Sequence, residues 1–219
     1  MQHTFRLMQV LDNLARIPRS GGVLFAGLNP QNGDSLAEHC YKVTWLCLLF
    51  SARLKKETIL VDEGKLLKYA ITHDWVEAVL LDVPSGSPSY KSYFEDLDIR
   101  EVIKNAEKNV IKTIDDYIST EIALTLSDVE LSPTEKAIFS AADITATLIE
   151  ILEWRYQGLK YEWFDYMWAN TFKRLDTLIN AELPQLKDFL NELQTAYTTN
   201  SKQPNPFLTK DQFQTRSKN

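Results

Sequence analysis

The chain has 219 residues, 44% hydrophobic and 25% charged, with a net charge of −6. That length and apolar share suit one globular domain with a sizeable core, and seven glycines and eight prolines are too few for a loop-rich β protein or a low-complexity chain. The acidic balance argues against a nucleic-acid polymer as ligand, because phosphate backbones reward a basic face, but it leaves room for a small anionic substrate beside a bound cation.

The two cysteines, Cys40 and Cys47, lie seven apart, two turns along one helix. They read as reduced core residues, and no disulfide framework is present. The longest apolar run, "VTWLCLLFSA", is far short of the about 18 residues that span a bilayer. The first residues lack the unbroken apolar core of a signal peptide. A soluble, cytoplasmic protein with no membrane partner is the expectation.

In chain order, Phe5, Met8, Leu11 and Leu14 recur at intervals of three and predict an amphipathic first helix, stopped at Pro18. Residues 18–34 hold four of the seven glycines with Asn29-Pro30 and Asn32-Gly33, and read as a long loop in which "GGVLFAG" suits a minor hairpin. Ser35-Leu36-Ala37-Glu38 is a capping box that starts a second helix near Leu36, with Val43, Leu46, Cys47 and Phe50 on its buried face. A third helix is predicted from Asp62 to Leu81 and a fourth from about 92 to 123. Ser132-Pro133-Thr134-Glu135 is a second capping box, with proline at the first helical position. The fifth helix carries Ile138, Phe139, Ala142, Ala146 and Ile149. The sixth is aromatic-rich, "YEWFDYMWANTF", and reaches Pro184, where it kinks or restarts. Trp163, Phe164, Met167 and Trp168 suit core burial or a subunit contact. The domain is expected to cover 1–197, and 198–219 to form a polar tail. The fold class is all-α, a single helical bundle.

The informative residues are polar groups on apolar faces. His39 lies one turn before Val43 on the buried face of its helix. His73 and Glu77 are four apart and would share a face of a continuous helix; Asp74 is one step around, and Asp82 closes the segment "THDWVEAVLLD". Asp143 is embedded in "FSAADITA". An unpaired buried carboxylate is very costly, so Asp143 needs a partner, and the alanines around it suggest a close approach. Two imidazoles and two carboxylates, from His39, His73, Asp74 and Asp143, suit a divalent Mn, Fe, Co or Zn with positions left open for water.

Together "AEHCYKV", "HDWVEAVLLDVP" and "AADITATLIEILE" resemble the HD-domain phosphohydrolases, and within them the 5′-deoxynucleotidase group, over roughly residues 5 to 160. The resemblance implies an HD-domain helical bundle and one divalent metal ion (Mn, Co, Fe, Zn or Mg) held by His39, His73, Asp74 and Asp143. It implies that Glu77 directs or deprotonates the attacking water and that Asp82 binds the sugar hydroxyl or shapes its pocket. It implies phosphate contact by Arg16, with Ile17 standing where the group carries a tryptophan beside the sugar. Phosphoryl transfer asks for positioning and charge neutralisation, and the metal with Arg16, and with Arg19 or Lys91 as further candidates, would supply the second. Members of this kind form dimers or larger rings, so a homo-oligomer is expected. Dinuclear members use extra histidines, which disfavours cyclic-dinucleotide hydrolysis here.

The leading reading is a metal-dependent phosphohydrolase of small nucleotides, acting on a 2′-deoxynucleoside 5′-monophosphate. The chain also resembles small phage enzymes that remove dATP, so a dNTP triphosphohydrolase is the alternative, and the sequence leaves the two open. A non-catalytic metal- or nucleotide-binding module is the alternative from another class; Glu77 and Asp82 argue against it, since a pure binder needs no water-directing acid.

Overall fold

The structure, a computed structural model, describes residues 2–21, 29, 33–83, 99–115, 129–159 and 162–200. Among these residues the regular elements are helices: α1 (Gln2–Leu11), α2 (Leu36–Lys56), α3 (Glu63–Thr72), α4 (Glu77–Leu80), α5 (Ile99–Asp115), α6 (Pro133–Tyr156), α7 (Glu162–Glu182) and α8 (Lys187–Thr199). Two 3-10 turns, Asp12–Ala15 and Pro184–Leu186, join α1 and α8 to the rest. An isolated antiparallel bridge pairs Pro18 with Ser35. The all-α expectation holds, and no helix is long and apolar enough to cross a membrane among the described residues.

Helix α2 is the central element. It packs against α6 and α3, and α6 packs in turn against α7. Val43, Cys47, Phe50 and Leu54 of α2 meet Leu66 and Ala70 of α3 and Ile138, Ala141 and Ala142 of α6, all nearly or fully buried. Ala142 and Ala146 let α2 and α6 approach closely at the level of Asp143. Both cysteines are free and buried, and burial pushes the Cys47 thiol up to about 12, so it is an inert core group.

Both capping boxes form. Ser35 accepts from the Glu38 amide while Glu38 accepts from the Ser35 amide at 2.7 Å, and Ser132 and Glu135 repeat the pattern at the start of α6. Glu135 does more than cap. It is 4% exposed, accepts from the Asp62 amide at 3.1 Å and pairs with Lys65 at 3.0 Å. It thereby ties the start of α6 to the start of α3.

The third helix departs from expectation. It was expected to run unbroken from Asp62 to Leu81, but α3 ends at Thr72 and α4 starts at Glu77. Between them the amides of Trp75, Glu77 and Ala78 bond to the carbonyls three residues back, the tighter 3-10 pattern. The cause is His73. Its Nδ1 takes the Ala70 carbonyl at 2.8 Å, the acceptor that a continuing helix would offer to the Asp74 amide.

Three other elements end differently in detail. Phe5 and Met8 of α1 are exposed, and only Leu14 of the first stripe is buried. The sixth helix restarts at Pro184, one of the two outcomes expected there. Of its aromatics, Phe164 and Trp168 are core residues, stacked on Trp154 and Tyr197, while Trp163 is exposed. The fourth helix, expected over 92–123, is described only as α5. The hairpin at "GGVLFAG", Lys91 and residues 201–219 lie outside the described residues.

Candidate metal centre and active site

Four elements converge at one end of the α2/α6 contact. His39 stands in the first turn of α2 and is 1% exposed. Its Nε2 lies 3.0 Å from Asp143 Oδ1, in the middle of α6, and 3.9 Å from Asp74 Oδ2. His73 Nε2 lies 3.1 Å from that same Asp74 oxygen. The two imidazole rings are 5.5 Å apart, edge to face. His39, His73 and Asp74 each offer a ligand atom, all within 4.8 Å of one another, and Asp143 joins them through His39. The break between α3 and α4 makes this possible, because it lets consecutive residues His73 and Asp74 face one point.

The imidazole of His73 is held on two sides. Its Nδ1–H donates to Ala70, which leaves the Nε2 lone pair for the centre. The ring of Phe139, one turn before Asp143 on α6, packs edge-on against it at 5.1 Å.

Three buried polar atoms in this cluster make no hydrogen bond among the described residues: His73 Nε2, Asp74 Oδ2 and Glu77 Oε2. His73 Nε2 and Asp74 Oδ2 face each other as an ion-pair contact at 3.1 Å. Buried polar groups are nearly always satisfied, and leaving three orphaned in one place is costly. Imidazole nitrogens and carboxylate oxygens converging in this way fit a divalent cation.

The electrostatics set these groups apart. Burial holds His39 below its usual value, which keeps its imidazole in the neutral, ligating form. Burial also opposes charge on His73, but the adjacent Asp74 carboxylate outweighs it and pushes the imidazolium up to about 11, so a cation would have to displace the Nε2 proton before His73 could ligate it. For Asp74 and Asp143, burial works to raise the carboxyl, yet His73 and His39 respectively bring each below its usual value. Glu77 moves the other way. Burial, then Asp74 and Asp82, push it up to about 9. Adjacent acids with oppositely shifted values mark a functional site.

The second acid of the predicted pair is positioned by strain. Leu81, which ends α4, has φ 66 and ψ 165, a region reserved almost entirely for glycine. Its side chain is 59% exposed. The turn delivers Asp82 to the Ser20 amide, which donates to Oδ2 at 2.6 Å.

Arg16 and Ile17 are placed differently from the other site residues. Arg16 is 68% exposed and pairs with Asp12 on its own turn. Ile17 is half-buried against Leu14, Leu36 and Ala78. Arg19 instead enters the centre, 3.5 Å from Asp74 Oδ2. A further acid escaped the sequence reading. Glu150, two turns past Asp143, is 4% exposed and accepts from the Asp34 amide at 3.1 Å. Burial and the nearby Asp34 push it up to about 7. Its signal was an acid inside the apolar run "TATLIEIL".

Comparison with known proteins gives a consistent result. Residues 6–197 match the model of the YfbR-like family, described as 5′-deoxynucleotidase YfbR-like. No curated protein matches. A conserved hypothetical protein from Pyrococcus furiosus is similar at 27% identity and TM-score 0.64, covering 87% of this chain and 99% of its own. A protein from Pyrococcus horikoshii is similar at 25% identity and TM-score 0.67, over 87% and 98%. An HD-domain phosphohydrolase from Listeria innocua shares the fold at 21% identity and TM-score 0.63, over 90% and 99%. The chain therefore belongs to the YfbR-like 5′-deoxynucleotidase family and is a metal-dependent phosphohydrolase.

Proposed function

We propose that the protein hydrolyses 2′-deoxynucleoside 5′-monophosphates to deoxynucleoside and inorganic phosphate, using one divalent metal ion held by His39, His73, Asp74 and Asp143. The observation that carries this reading is the cluster of three orphaned buried polar atoms on His73, Asp74 and Glu77, in a chain matched to this family over 6–197. Mn, Fe, Co and Zn suit the donor set best; Mg prefers oxygen ligands.

When bound, the metal polarises a phosphoryl oxygen and lowers the pKa of a bound water. The protein's own contribution is positioning and charge control. Glu77, beside Asp74 and on a helix start, orients the attacking water and would accept its proton once a bound cation draws the carboxyl back down from the raised value that burial, Asp74 and Asp82 give it. The water oxygen ends on phosphorus, the bond from phosphorus to the 5′-oxygen breaks, and that oxygen takes up a proton. Asp82, fixed by the Ser20 amide, faces the sugar. Ile17, packed into the small apolar cluster over α2, borders the sugar side without touching the reaction. Assembly with further copies accompanies this reading; Trp45, Leu49 and Trp163 are exposed apolar groups available for it, and light scattering of the purified chain measures the state.

Product analysis tests the substrate. The protein is incubated with dAMP and with dATP, each with Mn²⁺ or Co²⁺, and products are resolved by ion exchange. Deoxyadenosine and phosphate from dAMP are expected. Deoxyadenosine with intact triphosphate from dATP would instead make the protein a triphosphohydrolase. No turnover of either by metal-loaded protein would favour a binding module.

A further inference from the structure

The charges around Arg19 raise a problem that the reaction must solve. Asp74, Asp82 and Asp143, with Glu77 as the base, bring up to four negative charges to a half-buried site. A divalent cation offsets two of them. A phosphate ester that carries up to two charges of its own would still meet an anionic wall. One more fixed cation is needed, and the arginine expected to supply it, Arg16, is exposed and engaged with Asp12 on its own turn.

Arg19 meets the need. Its side chain is 20% exposed and lies 3.5 Å from Asp74 Oδ2. Asp82, Asp74, Asp143 and Glu150 all act on its guanidinium. Its backbone is clamped on both sides. The Arg19 amide donates to Asp34 at 2.8 Å, the Leu36 amide donates to Ile17 at 2.9 Å, and the next amide, that of Ser20, is bonded to Asp82. The guanidinium is thus delivered to the centre by a fixed segment, not by a free loop. Its planar fork matches two phosphate oxygens at once.

We infer that Arg19, rather than Arg16, is the phosphate-binding arginine of this protein, and that it shares Asp74 Oδ2 with the metal, so that it opposes metal binding while it favours phosphate. The inference rests on the phosphate-ester reading above. Asp74 Oδ2 faces His39, His73 and Arg19 together. A cation ligated by that oxygen is repelled by the guanidinium a few ångströms away. With a cation held by His39, His73, Asp74 and Asp143, the same repulsion would release the Arg19 guanidinium from Asp74 for a phosphate oxygen. Arg19 therefore contributes with opposite sign to the two binding events, and a cation that frees it from Asp74 favours the anion.

Calorimetry on the full chain separates the two effects, with Mn²⁺ as the metal and inorganic phosphate as the anion, for wild type, Arg19→Gln, Arg19→Lys and Arg16→Gln. Arg19→Gln is expected to bind Mn²⁺ several-fold tighter, since one like charge is gone. It is expected to bind phosphate about 10-fold or more weakly in the Mn²⁺-loaded state, the usual cost of a charge-assisted contact. Arg19→Lys keeps the charge without the fork and should fall between, and Arg16→Gln should match wild type in both. Weaker Mn²⁺ binding by Arg19→Gln, unchanged phosphate binding by it, or loss of phosphate binding in Arg16→Gln would each overturn the inference. Neither titration requires turnover, so they decide on Arg19 even where the product analysis rejects a monophosphate substrate.

Discussion

His73 donates from Nδ1 to the carbonyl oxygen of Ala70 at 2.8 Å, and this one bond both ends α3 and turns Nε2 toward Asp74. Fold and chemistry meet there. The helix gives up its regular ladder at a residue of the proposed ligand set, whose Nε2 faces Asp74 at 3.1 Å. Replacing His73 with Gln should cost more in Mn²⁺ affinity than the about 10–100-fold that follows loss of an outer-shell partner. A Mn²⁺ titration that is unchanged in His73→Gln would remove His73 from the ligand set.

Glu77 tests the assignment of the base. Glu77→Gln keeps the shape and loses the proton acceptor. The expected result is a fall in kcat of about 10²–10⁴-fold, the usual worth of general base catalysis, with Mn²⁺ affinity close to wild type. An equal loss of metal binding would make Glu77 a ligand instead. Steady-state kinetics beside the Mn²⁺ titration tells the two apart.

Glu135 tests the scaffold. It satisfies the amides of Asp62 and Ser132 and pairs with Lys65. Glu135→Ala strands those donors at the joint of α3 and α6 and should destabilise the fold by about 2–4 kcal/mol in urea denaturation. Although burial opposes it, these donors hold the carboxyl down at about 2, against an ordinary value of 4.5. The stabilisation is thus present above pH 4.5 and is lost as pH falls toward 2. An urea midpoint for Glu135→Ala equal to that of wild type at pH 7 would contradict this role.

Glu150 carries the opposite sign. Its carboxyl is pushed up to about 7 from 4.5, so the folded chain keeps a proton that the unfolded chain has lost. Stability from this group falls as pH rises from 4.5 to about 7 and is flat above. Glu150→Gln retains an acceptor for the Asp34 amide. It should match wild type near pH 4.5 and be more stable at pH 8, by on the order of 1–3 kcal/mol. Melting temperatures of the two proteins across pH 4.5–8 check this, and a constant difference would contradict it.

Much of this was readable from the sequence where chemistry is local. The two capping boxes needed only residues three apart, and both formed. The apolar faces of α2 and α6 followed from 3.6-residue periodicity. His39, His73, Asp74 and Asp143 were legible because polar residues stood where periodicity demanded apolar ones. The rest depended on contacts that periodicity does not encode. The break after Thr72 comes from a side chain taking a backbone carbonyl, against the helical pattern of its neighbours. The placement of Arg19 beside Asp74 goes with a bridge between Pro18 and Ser35, distant in sequence, whereas the resemblance pointed first to Arg16. The wider role of Glu135 and the clasp of Glu150 on Asp34 are long-range bonds as well. Phe5, Met8 and Trp163 show the limit of an apolar stripe, which states what is buried somewhere and not against which surface.

The most direct test of the central claim is phosphate release from dAMP by protein stripped with EDTA, before and after Mn²⁺ or Co²⁺ is restored, beside Asp74→Asn carried through the same steps. No release from the stripped protein, recovery with metal, and no recovery in Asp74→Asn are expected. Equal release with and without metal, or full recovery in Asp74→Asn, would contradict a metal-dependent reaction at this centre.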